Sequence, residues 1–366
     1  MSMRTSICDR FGIEQPIFGS VHSVQAAAEV SRSGGFGIYG ATRDTPDEIR
    51  ADLKELRRLV GNRRIGVDLV LPPNMPDHDD RDFIEKQLPQ AHRDFVEGLI
   101  KKYEVPKASK AGMRSRFVRS KDMAIAQIEA VLDSDVDLLA CGIGAPPEVL
   151  RRAKAQGKTT AALVGNRNHA TRALASGVDL LVAQGHDAGA HTGPIGTFSL
   201  VPQIVEVAGN TPVLAAGGVA TGRHILAALA LGAEGVWMGT AWLATKEYGL
   251  SESIIEKLLA AGSEDTVISR ADSGKTLRQI RTAWSEEWAK ADAPAPLKMP
   301  FQDILVGDLL GAIDEHDVKA LVHYPAGQSI AYVNERSTVA EVMARLVKDA
   351  DDARGALDRR LKAAGN

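Results

Sequence analysis

Between Val182 and Gly193 the chain reads VAQGHDAGAHTG, with two histidines, an aspartate and three glycines in twelve residues. An imidazole, with an ordinary pKa near ~6.5, suits proton transfer at neutral pH. A neutral ring can take a proton from a carbon acid, and a hydrogen-bonding or cationic ring can stabilise an anion. Glycine removes the Cβ atoms that would hold a flat ligand away from the backbone. His191 and His186 are therefore candidates for chemistry, and Asp187 is a carboxylate able to orient a neighbour.

A second stretch, PVLAAGGVATGRHILAALALGAEGVWMGTAWL, has the composition of an anion cradle. Gly217 and Gly218 end one apolar run, Gly222 opens a helical pattern, and Gly239 and Thr240 end the next apolar run. Backbone N–H groups freed by glycine, and a helix N-terminus, favour phosphate. Other candidates carry less pattern. His22 follows the first apolar run, and PDHDD (76–80) has metal-like composition without metal-ligand spacing. Lys275 and Arg278 would meet an anion or cap the fold. Cys8 and Cys141 suit burial, since two cysteines make neither a disulfide framework nor a metal cluster.

These residues need elements to position them. Apolar runs at 16–21, 36–40, 64–72, 136–144, 159–165, 178–185, 212–218 and 235–240 predict eight strands. Amphipathic segments between them, many stopped by glycine, predict helices. Eight such units predict a (β/α)8 TIM barrel, with the glycine-rich turns after strands six, seven and eight rather than after strand one. Residues 73–120 form an insertion after strand three, helical over 81–103 with a break at Pro89. It is expected on the C-terminal face, either as a lid or substrate wall or as a solvated helical excursion. The barrel is expected over 1–245, and 246–366 as a mostly helical extension packed on it, with a strand-like patch at 327–334.

The 366 residues are 44% hydrophobic and 25% charged, with a formal charge of -3. That balance argues against a nucleic-acid or membrane partner. The N-terminal residues lack the apolar core of a signal peptide, and no run is long enough to span a bilayer, so a cytoplasmic location is expected.

Together the two glycine-rich stretches resemble the nitronate monooxygenase family, formerly 2-nitropropane dioxygenases, over about residues 10–245. The family motif Q-G-x-E-A-G-G-H stands here as Gln184-Gly185-His186-Asp187-Ala188-Gly189-Ala190-His191, with Asp187 for Glu and Ala190 for Gly. The resemblance implies FMN, O2 and a small nitro or nitronate substrate oxidised to a carbonyl compound and nitrite. It implies that His191 is the catalytic histidine, that Gln184 and Gly189 contact the flavin, and that Gly217, Gly218, Trp237, Met238, Gly239 and Thr240 hold its phosphate. PIFGSV brings in Gly19 and Ser20. GVDLV places Asp68 where many members have an asparagine facing the flavin. Flavin-dependent enoyl-acyl-carrier-protein reductases, which use NAD(P)H, share the barrel and nearly the same motifs and form an alternative. A flavin-binding protein without turnover is another, and a homo-oligomer stays open.

Overall fold

The computed structural model describes residues 3–73 and 75–363. Its strands, in chain order, are β1 (Ile17–Val21), β2 (Phe36–Gly40), β3 (Ile65–Val70), β4 (Leu138–Gly142), β5 (Thr159–Val164) and β6 (Leu180–Gln184). There follow β7 (Ala190–His191), β8 (Val213–Ala216), β9 (Gly235–Met238), β10 (Thr266–Ser269) and β11 (Leu277–Ile280). Eight of them, β1 to β6 with β8 and β9, close a parallel barrel in sequence order, β9 returning to β1. The chain is thus a (β/α)8 TIM barrel, and its strands match the eight apolar runs.

Alternation along each strand sends one set of side chains inward and the other against the helices. Phe18, Phe36, Ile38, Leu138, Ala140, Ala161, Val182, Leu214, Ala216 and Trp237 fill the barrel interior. Phe11, on the helix Ser6–Phe11, closes the end beneath it, edge-on to Phe18 and Phe36 at 5.3 and 5.1 Å. The outer helices start where the sequence caps them. Thr45 and Glu48 form a capping box before Pro46–Val60, and Ser23 and Asn166 accept backbone N–H groups at two other starts.

The insertion carries helices Arg81–Lys86 and Gln90–Lys102, parted at Pro89 as the sequence suggests. Beyond the barrel strands, helices Glu252–Ala260, Phe301–Glu315 and Val339–Ala363 dominate. The last of these lies against Val24–Arg32 and Gly222–Ala230, the position an eighth barrel helix would take. Gly222 allows this: a Cβ there would fall 2.0 Å from the Ala350 nitrogen.

Two features depart from the sequence reading. The patch at 327–334 is not a strand but a short 3-10 turn, Gln328–Tyr332. Its leading N–H groups are spent on the barrel mouth, Gly327 donating to Thr240 Oγ1 and Gln328 to the Asp187 carbonyl. The extension also contains a hairpin, β10 and β11, which pairs through β11 with β7 to make a three-stranded sheet over the mouth.

Candidate functional site

The floor of the mouth is the inward-facing position just above the packed interior layer. On β1, two residues beyond Phe18, it is Ser20. On β2 and β3 it is Gly40 and its register partner Asp68, and on β4, β6 and after β9 it is Gly142, Gln184 and Gly239. Four of these six carry a hydroxymethyl group or no side chain; the His22 ring takes the space beside Gly40, where a Cβ would lie 2.5 Å from it, and Gly239 is the most open, a Cβ there meeting only the Ser20 carbonyl oxygen at 3.6 Å. Gly19 faces the other way. A Cβ there would lie 2.7 Å from Val30 and 3.2 Å from the Trp242 indole nitrogen, so packing of the following helix already accounts for this glycine. Trp237 is buried in the interior layer and Met238 among the outer helices. Neither side chain reaches the mouth, which β9 approaches through Gly239 and Thr240.

Gly217 and Gly218 sit at φ 91° and 74°, in the left-handed region. Among the described residues no acceptor takes the N–H groups of Gly218, Gly239 or Thr240. The Thr240 hydroxyl, by contrast, is occupied by the Gly327 N–H at 2.9 Å. Unpaired N–H groups from two neighbouring strand ends form a nest that fits a phosphate. Helix Thr197–Ala208 is not part of it, because Asp187 Oδ2 already accepts its first N–H at 2.8 Å. Asp187 is thus a helix cap.

The loop after β6 is braced by its polar residues. His186 places Nδ1 2.8 Å from the Gly193 carbonyl, and its own carbonyl accepts from the buried Arg278. Both behave as structural residues, and Arg278 caps the fold. Gly189 presses on the Ala326–Gly327 backbone, which a Cβ would approach to 2.8 Å. Gln184 Nε2 donates to the His191 carbonyl at 2.7 Å. Ala190, which stands where the family motif has glycine, holds φ 60°, a conformation that costs an L-residue about 1–2 kcal/mol.

His191 itself lies on β7, its Nε2 3.0 Å from Ser273 Oγ. Burial pushes its pKa down to about 3, aided by the positive charges of Arg114, Arg43, Arg119 and Lys275. The ring is therefore neutral at physiological pH. The cations converge from separate loops: Arg43 after β2, Arg114 and Arg119 from the insertion, and Lys275 from the β10–β11 turn. Buried carboxylates hold two of them. Arg43 meets Asp303 at 3.0 Å and Arg114 meets Asp272 at 3.2 Å, while Arg119 donates to the Val70 carbonyl at 2.6 Å. His22, after β1, places Nδ1 2.8 Å from the Gly40 carbonyl, and burial lowers its pKa too.

Asp68 is the floor's one carboxylate. Burial raises its pKa to about 7 against the opposing pull of Arg119, and its enclosed Oδ1 has no hydrogen-bond partner. A buried acceptor without a donor is costly unless a ligand satisfies it. An N–H or O–H edge of a ring lying on this floor would do so. Small floor, N–H nest and orphaned carboxylate together fit a flat ring that carries a phosphate.

Of the residues the sequence singles out, the structure brings Gly218, Gly239, His191, Asp68 and Lys275 to the mouth and turns Gly19 away from it; the sequence reading did not name Arg43, Arg114, Arg119, Asp272 and Asp303. The available signal was the basic run KASKAGMRSRFVR at the end of the insertion. The PDHDD turn is structural: Asp80 caps helix Arg81–Lys86 and Asp79 accepts the Val118 N–H. Cys8 and Cys141 are free and buried.

Comparison with known proteins places these features. The model of the family described as nitronate monooxygenase matches residues 2–349. A Mycobacterium tuberculosis protein that bears the name of a monooxygenase is 39% identical, over 97% of this chain and 98% of its own. Among solved structures, a nitroalkane oxidase from Streptomyces ansochromogenes superposes with a TM-score of 0.81 at 27% identity, covering 96% of this chain and 99% of that one. FabK from Thermotoga maritima superposes with a TM-score of 0.77 at 26% identity, covering 98% and 99%.

Proposed function

The chain belongs to the nitronate monooxygenase family and is a flavin-dependent oxidoreductase, and from that premise we propose that it uses FMN and O2 to oxidise alkyl nitronates to a carbonyl compound and nitrite. The observation that supports this most is the neutral His191 ring set among four cations. Such a site attracts an anion. It is poorly suited to deprotonating a neutral nitroalkane, because a base with a pKa near 3 lacks the driving force for a carbon acid at pH 7. A nitronate has already lost that proton.

FMN, when bound, supplies the electron acceptor and the route to oxygen. In this reading the N–H groups of Gly218, Gly239 and Thr240 hold its phosphate, and Ser20, Asp68 and Gln184 border its ring. Arg43 and Arg114 draw the nitronate in through Coulomb attraction that the half-buried mouth strengthens. His191 hydrogen-bonds the nitro group from above, and the β7–β10–β11 sheet limits access of water. No described helix is long and apolar enough to cross a membrane, and the reading needs no nucleic-acid or membrane partner.

The test compares propyl-2-nitronate with 2-nitropropane as substrates, following nitrite and acetone. The nitronate should show the higher kcat/KM by at least about tenfold at pH 7. A preference for the neutral nitroalkane would overturn the reading.

A further inference from the structure

Behind the cations of the mouth, opposite charges alternate through five side chains. Arg43 and Arg114 both approach Asp303 Oδ1, at 3.0 and 3.7 Å. Arg114 also meets Asp272 Oδ2 at 3.2 Å, and on the far side of that oxygen lies His323 Nε2 at 3.1 Å. The order is therefore Arg43, Asp303, Arg114, Asp272, His323. Both carboxylates are 2% exposed. Asp272 Oδ1 accepts the Trp284 indole N–H at 2.9 Å, and the Trp284 ring stacks on His323 with 6° between the planes.

His323 has a carboxylate at Nε2 and the Leu321 carbonyl 3.0 Å from Nδ1. Neither partner can donate as they stand, so both ring nitrogens are placed to donate, the arrangement a buried imidazolium takes. Its side chain is 6% exposed. The groups facing it are Asp272 and Trp284, the Leu321 carbonyl, and the charge of Asp314 on helix Phe301–Glu315; Arg114 acts on it through Asp272.

We propose that His323 is a positioning residue for the substrate anion. It shares the charge of Asp272 so that Arg114 remains directed to the mouth. Without the imidazolium, Arg114 is the cation left in contact with Asp272 among the described residues, and Asp272 draws the guanidinium back and neutralises more of its field. The inference rests on the anion-binding reading above and adds a residue remote from the motifs. Attraction to Asp272 and Asp314 holds the imidazole pKa above its ordinary value, even against burial. Anion affinity should therefore be highest below that raised pKa and fall as pH rises through it.

Nitrate, a planar oxoanion without turnover, is the probe, titrated calorimetrically into the flavin-loaded protein from pH 6 to pH 9. For wild type the nitrate Kd should rise about tenfold across this range, the equivalent of one pKa unit of coupling. His323→Gln keeps an N–H for Asp272 but has no charge. It should bind nitrate at pH 6 more weakly than wild type, with a shallower profile and unchanged flavin content. A variant with the wild-type affinity and slope would overturn the proposal. A second measurement needs no variant: the 15N shifts of His323 at pH 7 should report two protonated nitrogens, and a neutral signature would also overturn it. Absence of nitronate turnover, with nitrate behaving as described, would sink the proposed reaction and leave this inference standing. Normal nitronate turnover with pH-independent nitrate binding would do the reverse.

Discussion

His191 Nε2 and Ser273 Oγ lie 3.0 Å apart, tying the loop after β6 to the turn between β10 and β11. The contact joins a motif residue near the middle of the chain to a segment outside every motif. It also fixes the ring over a floor built by the barrel strands.

His191→Asn should keep its flavin and lose about tenfold in kcat/KM for a preformed nitronate, the worth of one hydrogen bond to a charged partner. Since burial holds the ring pKa near 3, the wild-type profile should show no His191 limb between pH 5 and 8. Stability carries the opposite signature. The unfolded ring protonates near ~6.5 and the folded ring does not, so stability falls as pH drops from there toward 3. The variant should lose that part of the slope in Tm against pH. A bell-shaped rate profile centred near pH 6.5 that the variant abolishes would instead make His191 a base.

Asp68 should cost the flavin-stripped protein stability as pH rises from about 4 to about 7. Its folded pKa, about 7, lies above the unfolded value, so the fold favours the protonated acid. That contribution is complete below the unfolded pKa and is lost as pH rises through 7. Asp68→Asn removes the titration, so its Tm should gain on that of wild type as pH rises from about 4 to about 7. Parallel curves for the two proteins would show that Asp68 is not the group responsible.

Gly239→Ala isolates the phosphate nest from the fold. Gly239 has φ -115°, which alanine tolerates, and a Cβ would meet only the Ser20 carbonyl oxygen, at 3.6 Å. The variant should keep the wild-type Tm without flavin and bind FMN at least about tenfold more weakly, as judged by fluorescence quenching. Gly218→Val is less clean, because φ 74° penalises any side chain there. Unchanged FMN affinity in Gly239→Ala would move the phosphate elsewhere.

Gly311→Val should release the insertion while sparing the cofactor. Gly112 packs so closely on helix Phe301–Glu315 that a Cβ at Gly311 would lie 2.4 Å from its Cα. The same contact seats Ser115 against Asp308 and brings Arg114 to the mouth. A raised KM for nitronate with full flavin content is expected. Flavin loss with unchanged KM would contradict this.

The barrel was legible because its strands are continuous apolar runs and its helices stop at glycines. Those are local signals, as are the turns at Gly217, Gly218 and Gly239. The arginine cluster was not. Arg43, Arg114, Asp272, Asp303 and His323 come together only after the barrel closes and helix Phe301–Glu315 docks on the insertion. No spacing in the sequence encodes that contact. Residues 327–334 misled for a related reason: their alternation suits a strand, but Thr240 and the Asp187 carbonyl capture the backbone donors first. Asp187 suggested a carboxylate orienting a neighbouring backbone or imidazole, and it is the backbone, at the helix start Thr197, that it holds.

The most direct test of the account is anaerobic titration of the purified, flavin-loaded protein, following visible absorbance. Propyl-2-nitronate should discharge the oxidised flavin spectrum, NADPH should leave it intact, and readmitted oxygen should restore it with release of nitrite. Rapid loss of absorbance with NADPH, and none with the nitronate, would contradict the account and favour a pyridine-nucleotide-dependent reductase.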